Sequence, residues 1–458
     1  MPATAPESLI YRDLFGTAAM RAVWDDAALT RHWAAAEAAL ARAQAALGLI
    51  PDSAAAAIAE AAGSFTPDLA AIGRKTELVG YPIVELVHQL ADACPEHARG
   101  FVHWGATTQD IMDTGTVLCL RDALALVEAD CAAIRDLLAG LARKHRDTPM
   151  AGRTHLQHAL PVTFGQKVAI WLDAMDRHTE RLVQLRPRLL RASLGGAAGT
   201  LASMGDKGLA VREGFAAALG LADAPITWHV ARDALAEAAW LLAAIGGTLA
   251  KAATDIMLMC MDELGEAREP FLTGRGSSST MPQKANPIAC EIIVASARRL
   301  RADASQMLDA MPADFERATG PWHLEWLALP EAFVVASGML AQAKFLFGGL
   351  VVYPDRMARN LGLTGGLILA EAVMMRLAPL VGRGVAHDLV YACCRLARDR
   401  QQTLAEALLA EPRVTAHLDA AGIAAALDPA NYLGSAGAMV DRVLAGRGLA
   451  DGARPGPA

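Results

Sequence analysis

Aromatic residues are scarce in this sequence. Phenylalanine, tryptophan and tyrosine make up 5% of its 458 residues, whereas hydrophobic residues of all kinds make up 53%. Because β-branched and aromatic residues, which favour sheets, are sparse and alanine and leucine abound, the composition favours packed helices. A chain of this length can bury a sizeable core and form two or three domains.

Positive charge is also in short supply. Lysine and arginine number 42 and the acidic residues 49, which gives a formal net charge of −7. With no overall basic field, no nucleic-acid partner is expected. An anionic substrate would therefore need cations that are placed locally.

Several common signatures are missing. None of the seven cysteines forms a CxxC pair, a pattern typical of reduced core cysteines in a cytoplasmic protein. No spacing of His, Cys, Asp and Glu indicates a metal site. The glycine-rich stretch 195–200 lacks the Lys-Ser/Thr pair of a P-loop. We therefore expect neither a metal nor another cofactor.

Long hydrophobic runs are absent as well. The longest uncharged apolar run, 238–250, has 13 residues, fewer than the roughly 20 that span a bilayer. The first 15 residues lack a basic segment followed by an apolar one, so no signal peptide is expected. These features predict a soluble cytoplasmic protein without a membrane partner.

The apolar residues that are present recur with helical periodicity. In 117–145 they step by alternating fours and threes, which predicts a long helix packed nearly parallel to its neighbours. Two further stretches, 164–186 and 233–262, predict long helices. Since 233–262 is apolar nearly all round, we expect it at the centre of a bundle or an oligomer.

Turn-forming residues divide the chain into an N-terminal helical domain (1–114), a central long-helix bundle (115–364) and a C-terminal helical domain (365–458). We predict an all-α fold with these three domains. The last residues, 446–458, are predicted to be disordered.

Four polar segments interrupt the helical background: 74–82, 103–110, 152–161 and 274–291. Each taken alone has an ordinary structural explanation as a solvated loop, a helix cap or a structural histidine. Together they supply hydroxyl and amide donors, helix N-termini, a lysine and imidazoles, a set that suits a carboxylate-bearing substrate and proton transfer.

The sequence SSSTMPQKANP within the last segment resembles the signature of the fumarase/aspartase superfamily. HWGATTQDIMDT and GRTHLQHALP are similar to two other signature regions of that superfamily, in the same order. ERATGPWHLEWLALP and LDPANYLG most resemble the bacterial 3-carboxy-cis,cis-muconate cycloisomerase branch.

The resemblance implies a homotetramer whose long helices form a twenty-helix core, with active sites assembled from three subunits. It also implies a reaction on a small polycarboxylate. A proton leaves the carbon next to a carboxylate, an aci-carboxylate carbanion forms, and a nitrogen or oxygen group departs from the β position. The reverse addition uses the same groups.

Carried over by register, Ser278 is the candidate base, with Ser279 as the second choice, on a mobile loop near 274–287. Lys284 would stabilise its alkoxide. His155 would assist the leaving group, and Glu291 would orient that imidazole. The residues expected to bind substrate are Asn286, Thr107, Thr108, Gln157, His103, Thr76, Lys75 and Arg317.

Two departures bear on the substrate. Trp326 stands where adenylosuccinate lyases carry an arginine that grips phosphate, so nucleotide substrates are not expected. His155 stands where cycloisomerases carry tryptophan, which favours a lyase that leaves a fumarate-type alkene. The cycloisomerase activity remains a close alternative, and a catalytically silent helical scaffold is an alternative of another class. The leaving group, the direction of the reaction and the effect of Ala285 are not determined by the sequence.

Overall fold

The computed structural model of the chain describes residues 4–317 and 319–450, without the side chains of 447–450. Its structure is 69% helix and 5% strand. This confirms the predicted helical fold, to which two small two-stranded sheets are added.

The elements follow in chain order. The first are the helices Arg12–Phe15 (α1), Ala18–Val23 (α2), Asp26–Ala46 (α3), Asp52–Gly63 (α4), Leu69–Val79 (α5), Ile83–Ala93 (α6), Glu96–Arg99 (α7) and Thr108–Lys144 (α8). Next come Pro149–Thr154 (β1), Gln157–Thr163 (β2), Phe164–Leu189 (α9), Gly208–Ala218 (α10), Asp233–Met259 (α11), Ala267–Arg268 (β3), Ile288–Asp309 (α12), Pro321–Gly348 (α13) and Val351–Val352 (β4).

Shorter helices complete the chain. They are Pro354–Leu361 (α14), Ala370–Val381 (α15), Arg383–Asp399 (α16), Leu404–Leu409 (α17), Pro412–Thr415 (α18), Ala420–Ala426 (α19) and Ala436–Ala450 (α20). Short 3-10 helices occupy Ala5–Glu7, Ala202–Lys207, Gly362–Thr364, Leu367–Leu369 and Pro429–Tyr432. Because α20 runs to Ala450, the disorder predicted from 446 onward is wrong for 446–450, and 451–458 lie outside the described residues.

The three long helices predicted from periodicity are present as α8, α9 and α11. The apolar residues predicted to form one face of this helix are buried from Leu120 to Leu138. Leu124, Val127 and Ile134 on that face of α8 are all at most 1% exposed. The helix begins earlier than expected, at Thr108. Asp113 and Thr114, which precede the predicted helix 117–145, therefore lie inside α8 and are buried.

The break predicted at 152–161 is a β-hairpin. Strands β1 and β2 pair antiparallel, with Thr154 opposite Gln157, so that His155 and Leu156 form a two-residue turn. Both turn residues have positive φ, 51° and 62°. Positive φ at both central positions is the property of a type I′ turn, whose twist matches that of the flanking strands.

The chain divides into two compact units. Unit 1 comprises 1–132, 177–247 and 292–342, and unit 2 comprises 133–176, 248–291 and 343–458. Each of the five longest helices contributes residues to both units. The division into three consecutive domains stays a prediction.

Unit 1 has a core in which α3 and α8 meet. Trp33 of α3 is 5% exposed and packs in one apolar cluster with Ile111, Val117 and Phe215. A Cβ atom at Gly115 would come within 2.4 Å of the Trp33 ring. The glycine therefore allows the two helices to approach closely.

Unit 2 buries two apolar clusters. One is formed by the C-terminal helices and includes Val373, Leu389 and Leu404. The other joins Ala151 of β1 to Ile368, Leu369 and Ala372. This second cluster fixes the base of the hairpin to the start of α15.

Two helices, α11 and α13, are long and apolar enough by length and composition alone to cross a membrane, and the bent pair 354–364 and 367–381 would make a third. The uncharged run of 13 residues in the sequence underestimates the apolar length of α11, because a helix that spans a membrane tolerates a few charged residues. The absence of a membrane partner stays a prediction.

Candidate active site

The signature segment forms a loop that is closed at its neck. Ser277 pairs with Ala285 in an isolated antiparallel bridge, and Asn286 N donates to Gly276 O at 2.9 Å. Gly276 has φ +72°, and a Cβ atom there would lie 2.5 Å from Asn286 O. Only glycine fits this neck without strain.

Within the loop, the hydroxyl of Ser278 faces two backbone donors. Its Oγ accepts from Thr280 N at 3.2 Å and from Met281 N at 3.0 Å. Ser277 Oγ instead donates to Gly274 O at 2.9 Å. Among the described residues, no hydrogen bond reaches the Ser279 side chain. The geometry thus singles out Ser278 as the hydroxyl that backbone N–H groups could stabilise as an anion.

Lys284 and Asn286 follow on the same loop and line a cavity of about 580 Å³ in unit 2. Lys284 is exposed and Asn286 is half-buried. Ser278 lies outside the residues that line this cavity. The loop therefore presents its hydroxyl and its ammonium group to different surroundings in this structure.

The side chain of Glu269, which precedes the loop, connects that part of the chain to α12, which follows the loop. Its carboxylate accepts from Ala289 N at 3.1 Å and from Cys290 N at 2.7 Å, at the N-terminus of α12. A carboxylate is favourable there because the N-terminal N–H groups of a helix carry partial positive charge. Glu291, one residue further, is exposed.

His155 lies at the tip of the hairpin and is exposed, as is Gln157 beside it. The hairpin is fixed below its tip by Arg153, which forms a two-point ion pair with the fully buried Glu266. Asn360 Nδ2 donates to the same Glu266 carboxylate at 2.8 Å. No hydrogen bond joins His155 to Glu291 in the part of the chain that the structure describes, so the predicted orienting role of Glu291 is not seen within one chain.

In unit 1, His103 is held by Glu37. Its Nδ1 lies 2.6 Å from Glu37 Oε1, and its backbone N donates to Glu37 Oε2 at 3.1 Å. Burial would lower the pKa of His103, but the charge of Glu37 and the hydrogen bond outweigh burial and raise the pKa. The pair favours an imidazolium with Nδ1 donating.

Thr107 and Thr108 lie at the N-terminus of α8, where the carboxylate of Asp110 collects four donors. It accepts from the backbone N of Thr107 at 2.9 Å and from Gly195 and Gly196 at 2.7 and 3.0 Å. The fourth is His229 Nε2, at 2.7 Å. Because an ionised carboxylate only accepts, His229 must donate from Nε2. Asp110 thereby ties the threonines to the glycine turn 195–200.

A second buried network surrounds Asp113. Arg232 donates to both of its oxygens, at 2.7 and 3.0 Å, and Trp322 Nε1 donates at 3.1 Å. Arg232 also pairs with Glu325. Burial would lower the pKa of Arg232, but the two carboxylates raise it, so the guanidinium stays charged in the core.

Gln109 connects this network to the predicted binding residue Arg317. Its Nε2 donates to Asp113 Oδ2 at 3.1 Å, and its Oε1 accepts from Arg317 Nη1 at 3.3 Å. Arg317 Nη2 also donates to Ala197 O at 2.8 Å. Arg317, the glycine turn and the start of α8 therefore form one cluster.

Lys75 and Thr76 are half-buried on α5. The Thr76 hydroxyl donates to Ile72 O at 2.8 Å, an internal helix contact that uses its proton. Within 4–317 and 319–450, no hydrogen bond or ion pair joins either residue to another predicted site residue.

The predicted site residues thus fall into two groups. Unit 1 contains Lys75, Thr76, His103, Thr107, Thr108 and Arg317, and unit 2 contains His155, Gln157, Ser278, Ser279, Lys284, Asn286 and Glu291. Sequence reasoning missed the residues that support them, Glu37, Asp110, His229, Glu266 and Glu269. A detectable signal existed for Glu37, a lone acid in the alanine-rich stretch 34–41. Within 4–317 and 319–450, no group of His, Cys, Asp and Glu side chains could hold a metal ion.

Comparison of the chain with known proteins finds two matching families and a similar solved structure. Residues 15–301 match the family described as "Lyase", and residues 366–443 match "Adenylosuccinate lyase C-terminus". The fumarate lyase from Mesorhizobium sp. BNC1, a solved structure, has a TM-score of 0.90 and 53% identity, over 94% of this chain and 99% of that one.

The curated relatives that this chain resembles include proteins with different named activities. Trans-aconitate decarboxylase 1 of Mycosarcoma maydis is 46% identical, over 94% of this chain and 88% of its own. A 3-carboxy-cis,cis-muconate cycloisomerase of Pseudomonas aeruginosa is 45% identical, over 96% of both. Nitrosuccinate lyase of Streptomyces davaonensis is 42% identical, over 93% of this chain and 92% of its own.

Proposed function

The chain belongs to the lyase family within the fumarase/aspartase superfamily, and from that membership we propose that it catalyses a β-elimination, or the reverse addition, on a succinate-like di- or tricarboxylate. A base removes the proton from the carbon next to one carboxylate, and the electron pair is held as an aci-carboxylate. The pair then forms a C=C bond as an N- or O-linked group leaves the neighbouring carbon. The product is a fumarate-type alkene.

The observation that carries this proposal is the environment of Ser278. An isolated serine hydroxyl is far too weak a base at neutral pH. Two backbone N–H groups aimed at its Oγ, at 3.0 and 3.2 Å, stabilise negative charge on that oxygen. An ammonium group six residues later on the same loop, Lys284, can add to this stabilisation when the loop closes over substrate.

The other site residues have distinct roles in this proposal. His155 protonates the leaving group from the tip of its rigid hairpin, and Glu291 orients that imidazole across a subunit interface. Asn286 and Gln157 bind substrate oxygens. In unit 1, Thr107, Thr108, His103 and Arg317 bind a further carboxylate, and Lys75 and Thr76 contribute to the same binding.

Assembly is part of the proposal. Four copies of a chain with five long helices would give the twenty-helix core of a homotetramer, with each active site shared by three subunits. Exposed apolar side chains on α9 and α11 support association, among them Ile170, Val183 and Trp240, which are 62%, 62% and 47% exposed. The seven free cysteines are compatible with the proposed cytoplasmic location.

Lactone formation from 3-carboxy-cis,cis-muconate is the second candidate. The 45% identity to a cycloisomerase over 96% of both chains favours it. Both reactions pass through the carbanion. In the lyase reaction a separate N- or O-linked group departs or adds, whereas in lactone formation that group is a carboxylate oxygen of the same molecule. His155 favours the lyase, because a leaving group that departs as a separate molecule needs a proton, which an imidazole can donate.

A substrate panel with matched serine variants tests the proposal. We would follow ultraviolet absorbance with fumarate plus ammonia, amines or nitrite, with carboxymuconate, and with trans-aconitate, the compound in the Mycosarcoma relative's name. Ser278→Ala should abolish turnover, whereas Ser277→Ala should retain most of it. Full activity of the double variant Ser278→Ala/Ser279→Ala would refute the serine base. Silence of the wild-type protein across the panel would refute the lyase and cycloisomerase proposals and favour a scaffold.

A further inference from the structure

Two buried polar side chains of α3 hold the segment that carries His103. Glu37 and Gln44 are seven residues apart and therefore lie on one face of the helix. Both are at most 1% exposed. Glu37 Oε2 accepts from the backbone N of His103 at 3.1 Å, and Gln44 Nε2 donates to Trp104 O at 2.6 Å. The segment is thus fixed by α3 without any contribution from a substrate.

The backbone at His103 adopts a conformation that most residues avoid. Its φ is +62°, in the left-handed region, where a residue other than glycine is strained. Such strain persists only where the surrounding structure enforces it, and it is common at binding and catalytic sites. The hydrogen bond from His103 N to the buried Glu37 helps to enforce it here.

The same carboxylate also fixes the imidazole ring. Glu37 Oε1 lies 2.6 Å from His103 Nδ1, while Oε2 receives the backbone N–H. Because an ionised carboxylate only accepts hydrogen bonds, Nδ1 carries a proton. One buried acid therefore sets both the orientation of the ring and the protonation of Nδ1.

The opposite ring nitrogen, Nε2, is available to a ligand. The His103 side chain is 20% exposed, and no hydrogen bond reaches its Nε2 within 4–317 and 319–450. Burial would lower the pKa of His103, but the carboxylates of Glu37 and Asp110, the charged groups that act on the ring, raise it. Below that raised pKa the ring is an imidazolium, in which both nitrogens donate.

We infer that Glu37 is a positioning residue for the substrate, because it holds His103 as an imidazolium whose Nε2–H donates to a substrate carboxylate. The inference rests on the proposed function and adds a residue to it. In a neutral ring with its proton on Nδ1, Nε2 only accepts and offers a carboxylate no donor. Substrate binding should therefore weaken as pH rises and His103 loses its charge.

The pair should affect substrate affinity rather than the chemical step. The proposed proton transfers use Ser278 and His155, and the further carboxylate that His103 binds keeps its charge throughout the reaction. An interaction that is equally strong in the bound substrate and in the transition state changes KM and leaves kcat unchanged. The expected signature is thus a change in KM without a change in kcat.

Steady-state kinetics of the full-length protein between pH 5.5 and 8.5, a range that spans the ordinary histidine value, tests the inference. KM of the wild type should rise with pH once His103 loses its charge. In Glu37→Gln, which keeps the shape of the side chain but not its charge, KM at pH 6.5 should be about 10-fold higher, the loss expected for one charge-assisted hydrogen bond. The rise of KM should also begin at least about one pH unit lower, and kcat should change less than about 3-fold.

Gln44→Met is the matched control. It removes the bond to Trp104 O from the same helix face and leaves the imidazole and its carboxylate in place, so KM should keep the wild-type pH dependence. Equal changes in Glu37→Gln and Gln44→Met would show that Glu37 only supports the segment, and would overturn the inference. A wild-type KM profile in Glu37→Gln, or a fall in kcat alone, would overturn it too.

His103→Gln decides the question if circular dichroism shows that Glu37→Gln is unfolded. Its KM at pH 6.5 should be raised and should lack the wild-type rise with pH, whereas a wild-type profile would contradict the inference. If no substrate of the panel is turned over, the proposed function fails, and calorimetry with succinate decides the role of the pair. The wild type should then bind succinate more tightly at pH 6.5 than at pH 8.5, and equal affinities at the two pH values would refute that role.

Discussion

Arg153, two residues before His155, forms a two-point ion pair with Glu266, with Nη2–Oε1 at 2.7 Å and Nη1–Oε2 at 2.9 Å. The Glu266 side chain is fully buried, whereas that of Arg153 is 21% exposed. Because Asn360 bonds to the same carboxylate, one buried acid fixes the hairpin to α14. The exposed imidazole at the tip thus rests on a rigid base.

Replacement of Glu266 should damage both stability and turnover. Glu266→Ala leaves Arg153 and Asn360 without their acceptor, so the free energy of unfolding should fall by about 3 kcal/mol, the lower size for a broken buried pair. Urea unfolding measures this. The control Arg413→Gln breaks an exposed pair with Glu411 and should leave the unfolding midpoint unchanged. Equal effects of the two changes would show that Glu266 has no special supporting role.

The hairpin turn stores strain that a glycine should relieve. Leu156 has φ 62° and is 85% exposed, so Leu156→Gly loses little packing and removes a left-handed strain. After the entropic cost of glycine, the free energy of unfolding should rise by about 0.5–1 kcal/mol. Gln157→Gly, at the adjacent extended position, should lower it by a similar amount. A destabilised Leu156→Gly protein would contradict the type I′ geometry.

His155→Gln should reduce turnover at least about 100-fold, the usual lower size of a general-acid contribution. The control is His158→Gln on the same hairpin. Burial is the main cause that lowers the pKa of His158, so this imidazole is neutral at working pH and its loss should change turnover less than about 10-fold. Steady-state rates on the best substrate of the panel provide the measurement. A wild-type rate for His155→Gln would remove His155 from the chemistry.

The His103–Glu37 pair predicts a pH dependence of stability. Because the pKa of His103 is raised in the folded state, its contribution is fully present below about pH 6.5, the ordinary value for histidine. It is lost as pH rises through the raised folded pKa. Urea unfolding between pH 5.5 and 8.5 should show wild-type stability falling across that window and a flatter profile for Glu37→Gln. His97→Gln, on the exposed surface of α7, should keep the wild-type slope, and a slope that survives in Glu37→Gln would rule out this coupling.

Much of the helical framework could be predicted from periodicity. Apolar residues at regular helical spacing, such as those from Leu120 to Leu138, favour one low-energy conformation, a helix with that face buried. The hairpin could not be predicted in this way, because 149–163 has no regular alternation and its turn contains no glycine or asparagine to indicate a left-handed conformation.

The chemistry of the candidate site was predicted unevenly. Ser278, Lys284 and Asn286 share a contiguous motif, so their presence on one loop follows from the chain itself. Asp110 and His229, in contrast, are 119 residues apart, and nothing local to either indicates that they meet. Such partners are set by how helices pack, which a single sequence does not encode in any short pattern.

The sequence by itself determined the helical architecture, the signature loop and the residue types of the candidate site, because these depend on periodicity and on neighbours along the chain. Only the tertiary structure decided that Ser278 rather than Ser279 faces two N–H donors, that Glu266 supports the hairpin, and that Lys284 faces a cavity without Ser278. Each of these depends on distances between groups that folding brings together, and small differences in backbone direction at a loop or a turn decide them.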